Sequence, residues 1–139
     1  MIESTIENIS KMLHDKDVSP SIQRIKISQF ILNNLHHSSV DAIYQELIHE
    51  IPTLSKTTVY NTLSLFVEKK IINSVALGNT EILYEKSQKP HAHFRCEICK
   101  ELIDIDIDSS LFGIKELDNH KVEKVSIHLK GTCSKCLNN

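Results

Sequence analysis

The chain has 139 residues, of which 40% are hydrophobic and 24% charged, with four Cys and eight His. This composition fits a globular rather than a disordered chain, of one compact domain or two small ones. No apolar run approaches the roughly 20 residues needed to span a bilayer, and MIESTIENIS is no signal peptide, so a cytoplasmic protein with no membrane contact is expected. The net charge of -2, spread evenly between the two halves, argues on charge alone against a nucleic-acid partner.

Residues 2–14 place Ile2, Ile6, Ile9 and Leu13 on one helical face. After Pro20 and Ser21, a second helical pattern runs through Ile22, Ile25, Phe30, Ile31 and Leu35. A third begins after Ser38, with Asp41 completing a capping box, and turns Val40, Ile43, Tyr44, Leu47 and Ile48 inward. Pro52 breaks the chain, and Ser55 caps a fourth helix whose apolar stripe is Val59, Leu63, Phe66 and Val67. The opposite face of that helix carries Thr57, Thr58, Tyr60, Asn61 and Ser64. It is short, polar and nearly uncharged, unlike a solvated helix surface rich in Lys and Glu. Two helices joined by a tight turn, the second with an outward polar face, predict a helix-turn-helix. Arg24, Lys56, Lys69 and Lys70 are then candidates for phosphate contacts.

Ile71–Leu77 and Thr80–Tyr84, joined through Gly78-Asn79, read as a β-hairpin after the last helix, so residues 1–84 are expected to form a winged helix. Residues 85–92, EKSQKPHA, are polar, contain Pro90 and read as a hinge. Beyond it, residues 93–139 predict a small α/β domain. Its strands are a first one ending at Cys96, an alternating stretch Glu101–Asp108 and a last one through Val125, Ile127 and Leu129, with a short helix over Ser109–Leu117. Within Glu101–Asp108, Asp104, Asp106 and Asp108 share one face and are equivalent by periodicity. A domain of this size is marginal alone, so a metal and dimerisation are expected to support it.

All four cysteines lie in that second part, as Cys96-x2-Cys99 and Cys133-x2-Cys136. Two such pairs suit tetrahedral Zn²⁺, and the absence of a secretion signal argues against disulfides. Four thiolates leave no open position, so this site is expected to be structural rather than catalytic. His91 and His93, two apart just before Cys96, face one way on a strand. They suit either a second metal or a solvated connector. His128 alternates outward between Ile127 and Leu129, and His14, His49 and His120 read as surface residues.

Three segments carry a family resemblance: Q-R at 23–24, S-K-T-T-V-Y-N-T-L at 55–63 and H-A-H-F-R-C-E-I-C-K at 91–100. Together, and in this order along the whole chain, they resemble the ferric-uptake-regulator superfamily of bacterial repressors. The resemblance implies an α+β architecture, with an N-terminal winged helix-turn-helix and a small α/β dimerisation domain holding a Zn(Cys)4 site. It further implies a homodimer that binds a palindromic double-stranded DNA operator through residues including Arg24, Lys56, Thr57, Thr58, Tyr60 and Asn61. A separate regulatory site for Fe²⁺ or Mn²⁺ would take its ligands from His37, Glu85, His91, His93 and Asp104. Only the family register selects Asp104 from its two neighbours. Ile22 and Lys100 depart from the family's usual Pro and Gly.

Within the family, Asp104 and Asn61 resemble the peroxide-responsive repressors, whereas Glu85 looks more like the iron-uptake repressors. The first likeness implies that bound Fe²⁺ and H₂O₂ together oxidise a ligand histidine, His37 or His91, after which DNA is released. Mn²⁺ on the same ligands would leave the protein insensitive. Apart from peroxide as oxidant no small-molecule substrate is expected, and no HExxH or nucleophile setting suggests an enzyme. The alternatives are an iron-responsive uptake repressor and, outside DNA binding, a zinc-stabilised protein-interaction module.

Overall fold

The computed structural model describes residues 5–34, 37–76, 81–86 and 89–138, and the chain divides into two compact units, Met1–Ser87 and Gln88–Asn139.

The first unit is built on four helices and a three-stranded sheet. Helix α1 spans Ile6–Asp15 and α2 spans Ile22–Asn33. The two-residue strand β1, Ser38–Ser39, leads directly into α3, Val40–Leu47, and α4 spans Lys56–Glu68. Each helix starts on a hydroxyl that accepts a backbone N–H from three residues on: Thr5 from Asn8, Ser21 from Arg24, Ser39 from Ala42 and Ser55 from Thr58. The cap of α3 is thus Ser39, one residue later than the pattern suggests, because Ser38 is drawn into β1 opposite Tyr84. Helices α1 and α4 each end in a Schellman closure (Val18 N–H to Leu13 O and Ile71 N–H to Phe66 O, both 2.8 Å). The left-handed positions there are Asp17 and Lys70, both at φ 60°, where glycine is the usual choice.

Ile9, Leu13, Ile27, Ile31, Ile43, Val59, Leu63 and Phe66 form the centre of one core, closed by Ile72 and Tyr84 from the sheet. Three expected core residues lie outside it: Ile6 and Ile22 are exposed, each standing in the first turn of its helix, where the apolar face has not yet met a neighbour, and Ile48, the C-cap of α3, is only half-buried. Ile2 and Leu35 lie outside the described residues. Helix α2 buries Ile27 and Ser28 besides the expected Ile25 and Ile31, and Ser28 satisfies its buried hydroxyl by donating to Arg24 O at 2.8 Å.

Strands β2, Ile72–Ala76, and β3, Ile82–Lys86, form the antiparallel wing, with β1 on the outer edge of β3. The expected turn at Gly78-Asn79 lies outside the described residues. Strand β3 runs on through Lys86, because Glu85 and Lys86 still pair with Asn73 and Ile72; residue 85 is therefore a strand residue rather than the start of a linker.

In the second unit, β4, Ala92–Cys96, lies between β5, Leu102–Ile105, which is antiparallel to it, and β8, His128–Gly131, which is parallel. The expected helix over 109–117 is only a 3-10 turn, Ser109–Gly113, capped by the Asp108 carboxylate accepting from Ser110 N–H. The chain then forms the small hairpin β6, Glu116–Leu117, and β7, His120–Lys121, with Asp118 and Asn119 left-handed at its tip. A short α5, Ser134–Leu137, ends the described chain. Among the described residues this unit buries, of its apolar side chains and cysteines, only Ala92, Cys96 and Cys133, while Leu111, Leu117, Leu129 and Leu137 are exposed. No described helix is long and apolar enough to cross a membrane.

Candidate metal centres

The four cysteines converge within the second unit, and the local fold explains how. Strand β4 ends at Cys96, and the chain reverses over the next four residues. Lys100, left-handed at φ 67°, closes the turn, with its N–H on Cys96 O and the Cys96 N–H on Glu101 O, both 3.0 Å. Cys99 is thereby folded back beside Cys96. The parallel pairing of Cys96 with Gly131 then brings Cys133, two residues further along the chain, alongside, and the first turn of α5 returns Cys136 to the same point.

The Sγ atoms of Cys96 and Cys136 are 3.8 Å apart, and those of Cys99 and Cys133 are 3.7 Å apart. A disulfide requires about 2.05 Å, so these are free thiols. Zn–S bonds of about 2.3 Å in a tetrahedron place the sulfurs about 3.8 Å apart. The four residues therefore fit Zn²⁺. Backbone N–H groups of Cys133 and Cys99 point at the Cys96 sulfur from 3.4 and 3.5 Å. They lower its thiol to about 6, which favours the thiolate a metal needs. The Cys136 thiol moves the other way, to about 12, because the neighbouring Cys133 sulfur and burial disfavour a second negative charge.

A set of nitrogen and oxygen donors is present in each unit. In the first, the pairing of Ser38 with Tyr84 and Ser39 with Leu83, continued by one residue, sets His37 opposite Glu85. Opposed side chains of an antiparallel pair share a face. Their Nε2 and Oε2 atoms are 2.6 Å apart, and both side chains are buried.

In the second unit, β4 pairs His93 with Asp104 of β5, and His91 lies two residues before His93 on the same face. Cross-strand register thus singles out Asp104, where periodicity leaves three acids equal. Asp108 has another task, since it caps the 3-10 turn, and the Ser110 N–H lowers its carboxyl pKa. His91 Nδ1–H donates to Lys89 O at 2.9 Å, so the lone pair of the ring lies on Nε2. That Nε2 is 3.0 Å from His93 Nε2 and 3.3 Å from Asp104 Oδ1, and His93 Nε2 is 3.6 Å from the same oxygen. Metal–nitrogen bonds of about 2.1 Å at a right angle would set two nitrogens about 3.0 Å apart, so the three donors fit one divalent ion.

Of the candidate DNA-contacting residues that the resemblance implies, all but Arg24 lie in the first two turns of α4. Thr57, Tyr60, Asn61 and Ser64 are exposed on α4. Arg24 joins Thr58 and Asn61 in a cleft of about 380 Å³ between α2 and α4, and its Nη1 donates to Ser19 O at 2.8 Å. Thr58 is half-buried and serves the α4 cap, its Oγ1 2.9 Å from Ser55 Oγ. Lys56 lies 2.6 Å from Asp41 and 5.5 Å from the Tyr44 ring centroid, and the Asp41 carboxylate raises its pKa. Sequence reading missed two neighbours: Asp41 beside Lys56 and His128 beside His93. Asp41 was legible only as a helix-cap residue, and His128 needed a strand pairing that no local pattern carries.

A model of the Ferric uptake regulator family matches residues 15–132. The Peroxide operon regulator of Bacillus subtilis is 26% identical over 140 aligned positions, covering 98% of this chain and 96% of that protein. Among solved structures, PerR from Streptococcus pyogenes, described in terms of peroxide sensing and gene regulation, is 27% identical. It has a TM-score of 0.54, with 94% of this chain and 92% of that chain covered. The Helicobacter pylori ferric uptake regulator Fur, at 17% identity, shares the fold, with a TM-score of 0.75 over 99% of this chain and 97% of that one.

Proposed function

The chain belongs to the Ferric uptake regulator family, and on that premise we propose that it is a homodimeric, metal-dependent repressor of transcription that senses peroxide. The observation carrying this reading is the division of donors. His37 and Glu85 are two ligands, and His91, His93 and Asp104 are three. Neither set alone fills the roughly five or six positions that Fe²⁺ or Mn²⁺ occupies, and their lack of sulfur suits those ions. One ion taking ligands from both sets would tie the wing strand β3 to the second unit. Metal occupancy would then select the arrangement of recognition helices that fits a palindromic duplex.

Fe²⁺ held there would activate H₂O₂ by lending an electron that it recovers from the ring, so that the iron is unchanged overall. The chain's own part is to hold an imidazole, His37 or His91, where it receives one oxygen on a ring carbon. The ring is oxidised by two electrons, the peroxide is reduced to water, and the altered ring is lost as a ligand. The Peroxide operon regulator of B. subtilis and the peroxide-sensing PerR of S. pyogenes, as similar proteins, support peroxide as the signal. The exposed leucines and sparse core of the second unit support a dimer interface there, and the cytoplasm is the compartment where a repressor of this kind acts.

Mass spectrometry of the Fe²⁺-loaded and Mn²⁺-loaded protein after dilute H₂O₂ tests the reading. One added oxygen on a peptide containing His37 or His91 is expected with iron alone. Unmodified histidines in the iron arm overturn it. Glu85 favours a second reading, an iron-uptake repressor, in which chelation releases DNA and peroxide does not. The family assignment sets aside a zinc-stabilised module without a DNA role.

A further inference from the structure

One imidazole outside the five donors is placed against them. The parallel pairing of β4 and β8 puts His128 directly across from His93. The two rings stack, with centroids 6.0 Å apart and planes inclined by 24°. On the other side, His91 meets His93 edge-on, with centroids 4.5 Å apart at 63°. These neighbours differ in kind. His91 brings its Nε2 to 3.0 Å from His93 Nε2, whereas the near-parallel ring of His128 lies against the face of the His93 ring. His128 is therefore not a further ligand in this arrangement. It is exposed while His93 is buried, so it covers one face of the His93 ring.

We propose that His128 is a positioning residue for His93. Its ring limits rotation of the His93 imidazole and keeps the Nε2 lone pair turned towards His91 and Asp104. The inference rests on the metal reading given above, for which His93 must present that lone pair. An imidazole free to rotate spends part of its time misdirected, and the fraction correctly aimed scales the apparent affinity.

Mn²⁺ titration of the full-length protein, followed by electron paramagnetic resonance, tests the inference with His128→Ala, His128→Phe and, as the control for ligand loss, His93→Ala. Replacing the ring by Ala is expected to weaken Mn²⁺ binding about three- to tenfold, the scale of a lost aromatic pair. The Phe variant, which keeps a stacked ring without nitrogens, is expected within about twofold of the parent. Structural zinc content should be equal in all of them. In the metal-free protein, the His93 ring proton resonances should shift in the Ala variant and stay in place in the Phe variant. Should the Ala variant lose zinc, His128→Thr repeats the ring removal with a side chain suited to a strand.

Mn²⁺ binding unchanged by loss of the ring overturns the inference alone. A Phe variant as weak as Ala also overturns it, by assigning the effect to a nitrogen. A parent protein that binds Mn²⁺ no better than His93→Ala removes the metal reading, and the inference with it.

Discussion

Asp41, in the first turn of α3, holds Lys56, in the first turn of α4, at 2.6 Å. Both side chains are exposed, and the lysine also lies over the Tyr44 ring. The pair ties together the starts of the two helices of the helix-turn-helix. On the proposed reading of α4 as a recognition helix, it also occupies a cation at that helix's beginning that would otherwise meet a phosphate. Asp41→Asn is expected to tighten Mn²⁺-dependent binding to a palindromic AT-rich duplex by roughly threefold at low salt, with the gain fading as salt rises. Lys56→Gln should weaken binding and reduce the salt slope by about one per contacted phosphate. Fluorescence anisotropy across a salt series measures both; weaker binding by Asp41→Asn in a folded protein would show that the pair organises the helix start instead.

The zinc site should carry a defined acid limit. Cys96 is lowered to about 6 from 9.0, so its folded state is stabilised by ionisation relative to the unfolded chain. A depressed pKa contributes stability that is complete above 9.0 and is lost as the pH falls through about 6. In zinc-stripped protein, thiolate absorbance should therefore show one sulfur ionising well before Cys136, which is pushed up to about 12. With zinc present, protons compete for the same sulfur, so release into a chromogenic chelator should accelerate as the pH drops through this range. A release rate flat with pH would contradict the assignment.

Glu85→Gln keeps the shape of the side chain and removes its charge opposite His37. Mn²⁺ affinity is expected to fall more than about tenfold, as is metal-dependent DNA binding, with zinc stoichiometry unaltered. Isothermal titration with Mn²⁺ reads the first and an electrophoretic shift the second. Parent-like Mn²⁺ affinity would remove Glu85 from the ligand set.

Gly131 pairs with Cys96, and a Cβ at that position would come within 3.3 Å of the Phe94 ring. Gly131→Ala requires the half-buried ring to give by a few tenths of an ångström and should cost about 1 kcal/mol or less. Gly131→Val adds branches that the ring has no room for, and should both lower the melting temperature further and loosen zinc. Thermal melts monitored with zinc release check the order parent, Ala, Val.

What could be read before the fold was known follows the range of the forces involved. Helix positions in the first unit follow from apolar spacing and from hydroxyl caps, which act over three or four residues. The cysteine pairs are legible because four thiols at that spacing have few other uses. What was not legible depends on partners far along the chain. Periodicity leaves Asp104 equal to Asp106 and Asp108; the family resemblance selects it, and the physical difference is its pairing with His93. His128 reads as an idle surface residue until β8 is laid beside β4. Ser109–Leu117 has helical spacing, yet Asp108 caps a 3-10 turn there and the following residues are drawn into the β6–β7 hairpin. Ile6 and Ile22 fit their patterns and still face water, because periodicity gives a direction and not the length of the neighbour it points towards.

Strand β1 is only two residues long, and its second residue, Ser39, is also the cap of α3. Ser38 and Ser39 are bonded into the wing through Tyr84 and Leu83, beside Glu85. The wing and the helix-turn-helix therefore share a joint without slack. From Tyr84, next to Glu85, the path to the start of α3 is one ladder pair, to Ser38, and the peptide that joins Ser38 to the cap Ser39. The shortest strand in the first unit thus leaves no spacer between the edge of the sheet and the first turn of α3.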